Sequence, residues 1–157
     1  MYLDKVKKQL IELQIVSPDQ LLGCTLDEII GLEQRLEISL PVAYKEFLLL
    51  MGHSASKFLQ GSDCFFKHLP YLREWACEIL QENKFSKTLP EDAFVFFMHQ
   101  GYQFSFFIIS EGDNPPTYSY CEGTKQTSFM KSHEKFSDFL ETEVKIQAQY
   151  LYSSVTS

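Results

Sequence analysis

The sequence contains no long apolar run, and this absence excludes a protein with a membrane-spanning helix. No stretch approaches the roughly 18 consecutive apolar residues that such a helix requires. Charged residues also interrupt the first apolar positions, beginning at Asp4 and Lys5, so no signal peptide is expected. We therefore expect a cytoplasmic protein that makes no contact with a membrane.

Paired cysteines are lacking too. The four cysteines, Cys24, Cys64, Cys77 and Cys121, are scattered without a CxxC motif. In a chain without a secretion signal, such cysteines are typical of reduced core residues rather than of a disulfide framework. The spacing of Cys64 and His68 could place two zinc ligands on one helical turn, but two ligands do not make a site. We expect no metal and no cofactor.

Signatures of catalysis are also missing. The four histidines, His53, His68, His99 and His133, form no metalloprotease pair, and the sequence has no phosphate-loop, dinucleotide-binding or nucleophile-elbow motif. An enzyme would need a cysteine or a carboxylate that meets a histidine in space, which spacing alone does not exclude. The run "EGDN" at 111–114 is followed by two prolines, which favours a rigid turn over a calcium loop.

One region lacks basic residues altogether. The net charge is −7, and residues 91–123 hold five acids without any lysine or arginine: Glu91, Asp92, Glu111, Asp113 and Glu122. A surface of this kind repels nucleic acid and anionic membranes, and it attracts basic proteins. The alternative is an acidic surface that serves only solubility.

Hydrophobic periodicity predicts the helices. Apolar residues recur at helical spacing in residues 2–14, 25–37, 41–52, 70–83 and from Ser132 onward. Thr25 with Glu28 forms a capping-box pattern at the start of the second helix. Pro41 suits the first turn of the third helix, and Gly52 is expected to end that helix in the left-handed conformation.

Alternating and aromatic-rich segments predict the strands. "AFVFFM" and "YQFSFFIIS" indicate two strands joined by His99-Gln100-Gly101, where Gly101 can supply a positive φ. "TYSYCE" indicates a return strand, and short strands are expected within 63–67 and near Phe129. No linker or repeat divides the chain, so we predict one α+β domain over residues 1–157, with a frayed tail at 152–157.

The return strand carries two tyrosines. Tyr118 and Tyr120 alternate along it, so their side chains share one face of the sheet. If that face is open, the tyrosines form the floor of a binding platform whose rim is the acidic residues. If helices cover it, the tyrosines belong to the core.

Residues 25–145 resemble a known family. The segment "TLDEIIGLEQRLEISLPVAYKEFLLLMG" (25–52) resembles the opening signature of the SUKH superfamily, the SMI/KNR-type domains. The residues that fall on that pattern are Thr25, Glu33, Leu40, Pro41, Tyr44, Phe47, Leu48 and Gly52. "FVFFMHQGYQFSFF" and "EGDNPPTYSYCEG" resemble the later strands, and "FSDFLE" resembles the start of the last helix. Residues 1–24 lie outside the resemblance, as an N-terminal helical extension.

The resemblance implies a non-enzymatic α+β domain, with a mixed, mainly antiparallel sheet packed by N-terminal, middle and C-terminal helices. Leu40, Pro41 and Gly52 would fix a helix junction, and Glu33 would be structural or would face a partner. Bacterial members are similar to immunity proteins that bind and block a cognate toxin. The resemblance therefore implies a cytoplasmic immunity protein with a toxin partner, which the acidic surface predicts to be basic.

The acidic residues and the two tyrosines are the predicted partner-binding residues: Glu91, Asp92, Glu111, Asp113, Tyr118, Tyr120 and Glu122. The alternatives are a regulatory or scaffold module that binds an endogenous protein, as fungal relatives do, and an enzyme.

Overall fold

The computed structural model describes residues 1–155. These residues contain five α-helices and five β-strands. In chain order they are α1 (Asp4–Glu12), α2 (Leu26–Leu36), α3 (Val42–Met51), β1 (Ser62–Asp63), α4 (Leu69–Glu82), β2 (Ala93–His99), β3 (Gln103–Ile108), β4 (Thr117–Cys121), β5 (Met130–His133) and α5 (Phe136–Val155). Short 3-10 turns lie at Pro18–Gln20, Phe66–His68 and Ile109–Glu111. The predicted α+β class is confirmed.

The strands form one sheet in the order β1-β2-β3-β4-β5. All four pairings are antiparallel, and residues 1–155 contain no parallel pair of the kind that a mixed sheet would include. The β2–β3 hairpin turns as predicted: the Tyr102 N–H donates to the His99 carbonyl at 3.2 Å, and Gln100 and Gly101 have φ of 51° and 74°. Positive φ at both central residues of the His99–Tyr102 turn is characteristic of a type I′ turn.

The junctions around α2 and α3 confirm one capping prediction and correct another. The Glu28 N–H donates to Thr25 Oγ1 at 3.1 Å and the Thr25 N–H donates to Glu28 Oε1 at 2.9 Å, which is the predicted capping box. Gly52, however, has a right-handed φ of −60°. Packing explains why a glycine occupies this position: a Cβ at residue 52 would lie 2.6 Å from the Leu48 carbonyl oxygen and would clash with the Cys24 sulfur.

The last helix begins later than predicted. Ser132 belongs to β5, where its hydroxyl lies 2.7 Å from Thr117 Oγ1 of β4, and α5 starts at Phe136. Pairing with β4 overrides the local helical pattern. The helix then continues to Val155, through most of the segment predicted to fray, and residues 156–157 lie outside the described residues.

The N-terminal extension is part of the core. Leu3, Val6 and Leu10 of this segment are buried in the same cluster as the sheet residues. Helix α1 packs against α5, and Lys5 Nζ lies 3.4 Å from Glu141 Oε2 of that helix. Residues 1–24 therefore contribute to the same hydrophobic core as the rest of the domain.

The sheet has two unequal faces. On the first, here called the α3/α5 face, Phe107 of β3 meets Tyr44 of α3 and Phe136 of α5 with ring centroids 5.2 and 6.0 Å apart. On the second, the α4 face, helix α4 packs against β2, and Phe129 packs against Phe106 of β3 at 5.1 Å. Alternation along β3 sends neighbouring side chains to opposite faces.

Candidate protein-binding surface

The sheet register divides the predicted acidic residues into two groups. The pairs Ala93–Ile108 and Phe107–Thr117 place the start of β2, the end of β3 and the start of β4 at one end of the sheet. Four predicted residues flank these positions and form what we call the acidic end: Glu91, Asp92, Glu111 and Asp113. Glu122 follows β4 at the opposite end, where its N–H donates to the Tyr102 carbonyl at 2.8 Å. Glu122 therefore lies at the other end of the sheet from the other four predicted acidic residues.

The carboxylates of the acidic end face solvent. All four residues are exposed, and none forms an ion pair with a cation within residues 1–155. The Ser110 hydroxyl donates to Asp92 Oδ2 at 2.6 Å, and this hydrogen bond holds the pKa of Asp92 below its usual value. The Ala43 N–H donates to the Asp113 carbonyl at 2.8 Å, which ties the acidic end to the first turn of α3. The acidic end therefore presents four exposed carboxylates that no cation within residues 1–155 neutralises.

The two tyrosines of β4 differ in exposure although they share a face. Tyr118 is half-buried, its ring stacks on Phe106 at 5.4 Å, and its hydroxyl donates to Glu111 Oε1 at 3.0 Å. Burial and the neighbouring Glu111 raise the pKa of Tyr118. Tyr120 is only 5% exposed and meets the Phe85 ring at 4.9 Å. Tyr120 therefore belongs to the core, which removes it from the predicted binding residues.

A cleft of about 590 Å³ lies next to the acidic end, and sequence reasoning missed it. Its apolar wall consists of Leu36, Ile38, Leu69, Val95 and Ile109, and its charged lining of Arg73, Glu74, Glu91 and Asp92. These residues come from the end of α2 and the α2–α3 connection, from α4, from the start of β2 and the two residues before it, and from the turn after β3. No local pattern links such distant segments, so only the acidic residues of 91–123 could have indicated part of this site.

The residues that match the SUKH motif lie mostly inside the domain. Glu33 Oε2 accepts the Leu40 N–H at 2.7 Å and lies 3.7 Å from Lys45 Nζ, which fixes the connection between α2 and α3. Tyr44 is fully buried among aromatic rings, and its hydroxyl has no hydrogen-bond partner within residues 1–155. Burial raises the pKa of Tyr44. These are structural roles.

Two of the four cysteines, Cys24 and Cys64, are buried in the core. Burial raises the pKa of the Cys24 thiol to about 11 and raises the pKa of the Cys64 thiol as well, so both are protonated at neutral pH and are weak nucleophiles. His53 Nε2 lies 2.9 Å from Glu28 Oε2 on the surface. Within residues 1–155, no three His, Cys, Asp or Glu side chains converge on a position that could hold a metal ion.

Comparison with known proteins adds one finding. The model of the SMI1 / KNR4 family (SUKH-1) matches residues 23–142, which is most of the chain and includes α2 to the start of α5. No curated protein matches the sequence. No helix in the described 155 residues combines the length and the apolar character needed to cross a bilayer.

Proposed function

The chain belongs to the SMI1 / KNR4 family (SUKH-1), and from that premise we propose that it is a non-enzymatic protein-binding module, an immunity protein that neutralises a cognate toxin in the cytoplasm. The observation that supports this proposal is the acidic end, where four exposed carboxylates at one end of the sheet lack any ion-pair partner within the described chain. The family supports a binding role, and the charge indicates a basic partner.

The charge of the acidic end suits the inhibition of a basic toxin. Negative charge steers a basic protein toward the inhibitor and raises the rate of association. If the toxin acts on nucleic acid, a carboxylate surface can occupy the position where phosphates would lie. The same surface repels nucleic acid and anionic lipid, so a protein is the partner that we propose.

Neutralisation can be tested by co-expression. The product of the gene next to the one encoding this chain is expressed alone and together with the chain, and growth and affinity co-purification are measured. We expect the neighbouring product to arrest growth alone, to be harmless with the chain, and to co-purify with it. A harmless neighbour, combined with capture of an endogenous protein, would contradict the toxin and support a regulatory or scaffold module.

Charge reversal tests the location of the binding surface. Glu91→Lys combined with Asp113→Lys should slow association with the partner about tenfold or more at low salt, because steering depends on the sign of the local charge. Stopped-flow kinetics measures the rate. The melting temperature should barely change, since exposed charges contribute little to stability.

Glu122→Lys is the matched control, because it is exposed and acidic but lies at the other end of the sheet. It should leave the rate of association nearly unchanged. If the double reversal has no larger effect than this control, the acidic end is not the binding surface. The acids of residues 27–37 on and after α2 would then be tested next: Asp27, Glu28, Glu33 and Glu37.

A further inference from the structure

We propose that the 590 Å³ cleft beside α4 is an anchor site, where a basic segment of a protein partner inserts one aliphatic or aromatic side chain between flanking lysines or arginines. This inference rests on the proposed protein-binding function and names the chemistry of the partner. The cleft, the acidic rim and the position of the acidic end carry the argument.

The cleft exists because one edge of the sheet is incomplete. Strand β1 has only two residues, and it pairs with Met98 and His99 at the far end of β2. Within residues 1–155 no strand pairs with the outer edge of β2 at Ala93–Val95, and residues of α4 and of the connection between α2 and α3 line the groove there. Its volume falls within the range of pockets that hold ligands or anchor side chains.

The wall of the cleft is apolar and partly open to solvent. Leu69 and Val95 are buried at its base, whereas Leu36, Ile38 and Ile109 are half-buried around it. A side chain that entered the cleft would bury this apolar surface at about 25 cal/mol per Å² removed from water. The wall therefore favours an aliphatic or aromatic group.

The rim of the cleft selects for positive charge. Glu74 and Glu91 are exposed, and neither carboxylate has a hydrogen bond or an ion pair within residues 1–155. Arg73 is the one cation among the described residues that line the cleft, and it donates from Nη1 to the Ala93 carbonyl at 2.7 Å and from Nη2 to the Pro90 carbonyl at 3.1 Å. With Asp92, three carboxylates oppose one guanidinium that is already held by the backbone, which favours lysine or arginine on the partner.

The cleft also offers an apolar anchor site, which the exposed carboxylates of the acidic end do not provide. Binding energy usually concentrates in a few desolvated anchors, whereas exposed charge mainly sets the rate of encounter. Tyr120 is core, so it is not such an anchor. Glu91 and Asp92 belong both to the acidic end and to the rim of the cleft. Steering and anchoring therefore converge on one part of the surface.

Cys77 provides a direct test, because its half-buried side chain lines the cleft while Cys24 and Cys64 are buried. In a Cys121→Ser protein, the rate of alkylation by iodoacetamide reports access to Cys77. The probe is the end-blocked peptide KKLFKK, with SSLFSS and KKSSKK as controls. We expect KKLFKK at about 1 mM to slow alkylation about threefold or more, as a weak single-anchor ligand would, with less protection from SSLFSS and none from KKSSKK.

Two exposed glutamates on α4 form a matched pair of variants. Glu74→Lys reverses the rim of the cleft and should abolish protection by KKLFKK. Glu78→Lys lies one turn further along the same helix, away from the cleft lining, and should preserve it. Circular dichroism checks that both variants are folded. Equal protection in the two variants would overturn the proposal, as would equal protection by KKLFKK and SSLFSS, or protection by no peptide.

Two further outcomes separate this inference from the proposed function. If Glu74→Lys still neutralises the toxin as well as the wild-type chain, the cleft is not the anchor and the proposed function stands. If KKLFKK protects Cys77 but the wild-type chain neutralises no toxin, the cleft stands and the proposed function fails.

Protection of Cys77 that rises with protein concentration in the absence of peptide would show that a second copy of the chain fills the cleft. This result would overturn the proposal of a basic partner.

Discussion

The two faces of the sheet contain similar residues but are closed to different degrees. On the α3/α5 face, Tyr44 meets Phe136 at 5.4 Å and Phe96 meets Phe139 at 5.0 Å, and all four rings are buried. On the α4 face, Phe129 and Tyr118 are half-buried, and a cleft of about 360 Å³ opens between them. The first face forms a closed core and the second leaves surface that a partner can reach.

The helices that pack on each face explain why one face is more closed to solvent than the other. Helix α5 is the longest helix, with 20 residues, and together with α3 it spans the first face. Helix α4 packs against β2, so β3 and β4 are covered on that side by single residues from connecting segments, such as Phe85 and Phe129. A helix excludes water along its whole length, whereas isolated side chains leave clefts between them.

The largest expected effect compares one phenylalanine from each face. Phe136→Ala should reduce the free energy of unfolding by about 3–5 kcal/mol, because the ring is fully buried and truncation leaves a cavity. Phe129→Ala should cost about 1–2 kcal/mol, because its surroundings are partly hydrated and can relax. Urea unfolding measures both. Equal costs would show that the α4 face is as closed as the α3/α5 face.

A smaller contrast lies within β4. Tyr120→Ala should destabilise the domain by about 3 kcal/mol, since the ring packs on Phe85 and Phe104. Tyr118→Ala should cost about 1 kcal/mol, because Tyr118 is half-buried at the acidic end. Thermal unfolding of the two variants compares them directly. A larger loss for Tyr118 would reverse the assignment of core and rim.

The smallest effect concerns two tyrosine hydroxyls. Tyr44→Phe should stabilise the domain by about 1 kcal/mol, because it removes a buried hydroxyl that has no hydrogen-bond partner within the described residues. Tyr118→Phe is the matched control: it removes a hydroxyl that donates to Glu111, so stability should fall slightly or stay constant. The denaturant midpoints of unfolding show whether each variant is more or less stable than the wild-type chain. A destabilised Tyr44→Phe would mean that the hydroxyl has a partner, such as a buried water.

Much of the fold could be predicted from the sequence, because its signals are local. The Thr25–Glu28 capping box involves residues three positions apart, and the His99–Tyr102 turn involves four consecutive residues. The start of α5 could not be predicted from periodicity, because residues 130–133 pair with β4, where the Ser132 hydroxyl contacts Thr117 Oγ1. Of the candidate site, the sequence indicated the acidic residues of 91–113 but not Glu74 or Ile38, which lie far from them along the chain.

The sequence by itself determined the helices, the hairpin, the acidic character of residues 91–123 and the resemblance to the SUKH superfamily, because each depends on neighbouring residues or on their order. Tertiary structure decided which of these residues a partner can reach. Alternation places Tyr118 and Tyr120 on one face, and packing against Phe85 and Phe104 then buries Tyr120. The sheet register separates Glu122 from Glu111, and the two-residue length of β1 leaves the cleft open, because both depend on contacts between distant segments.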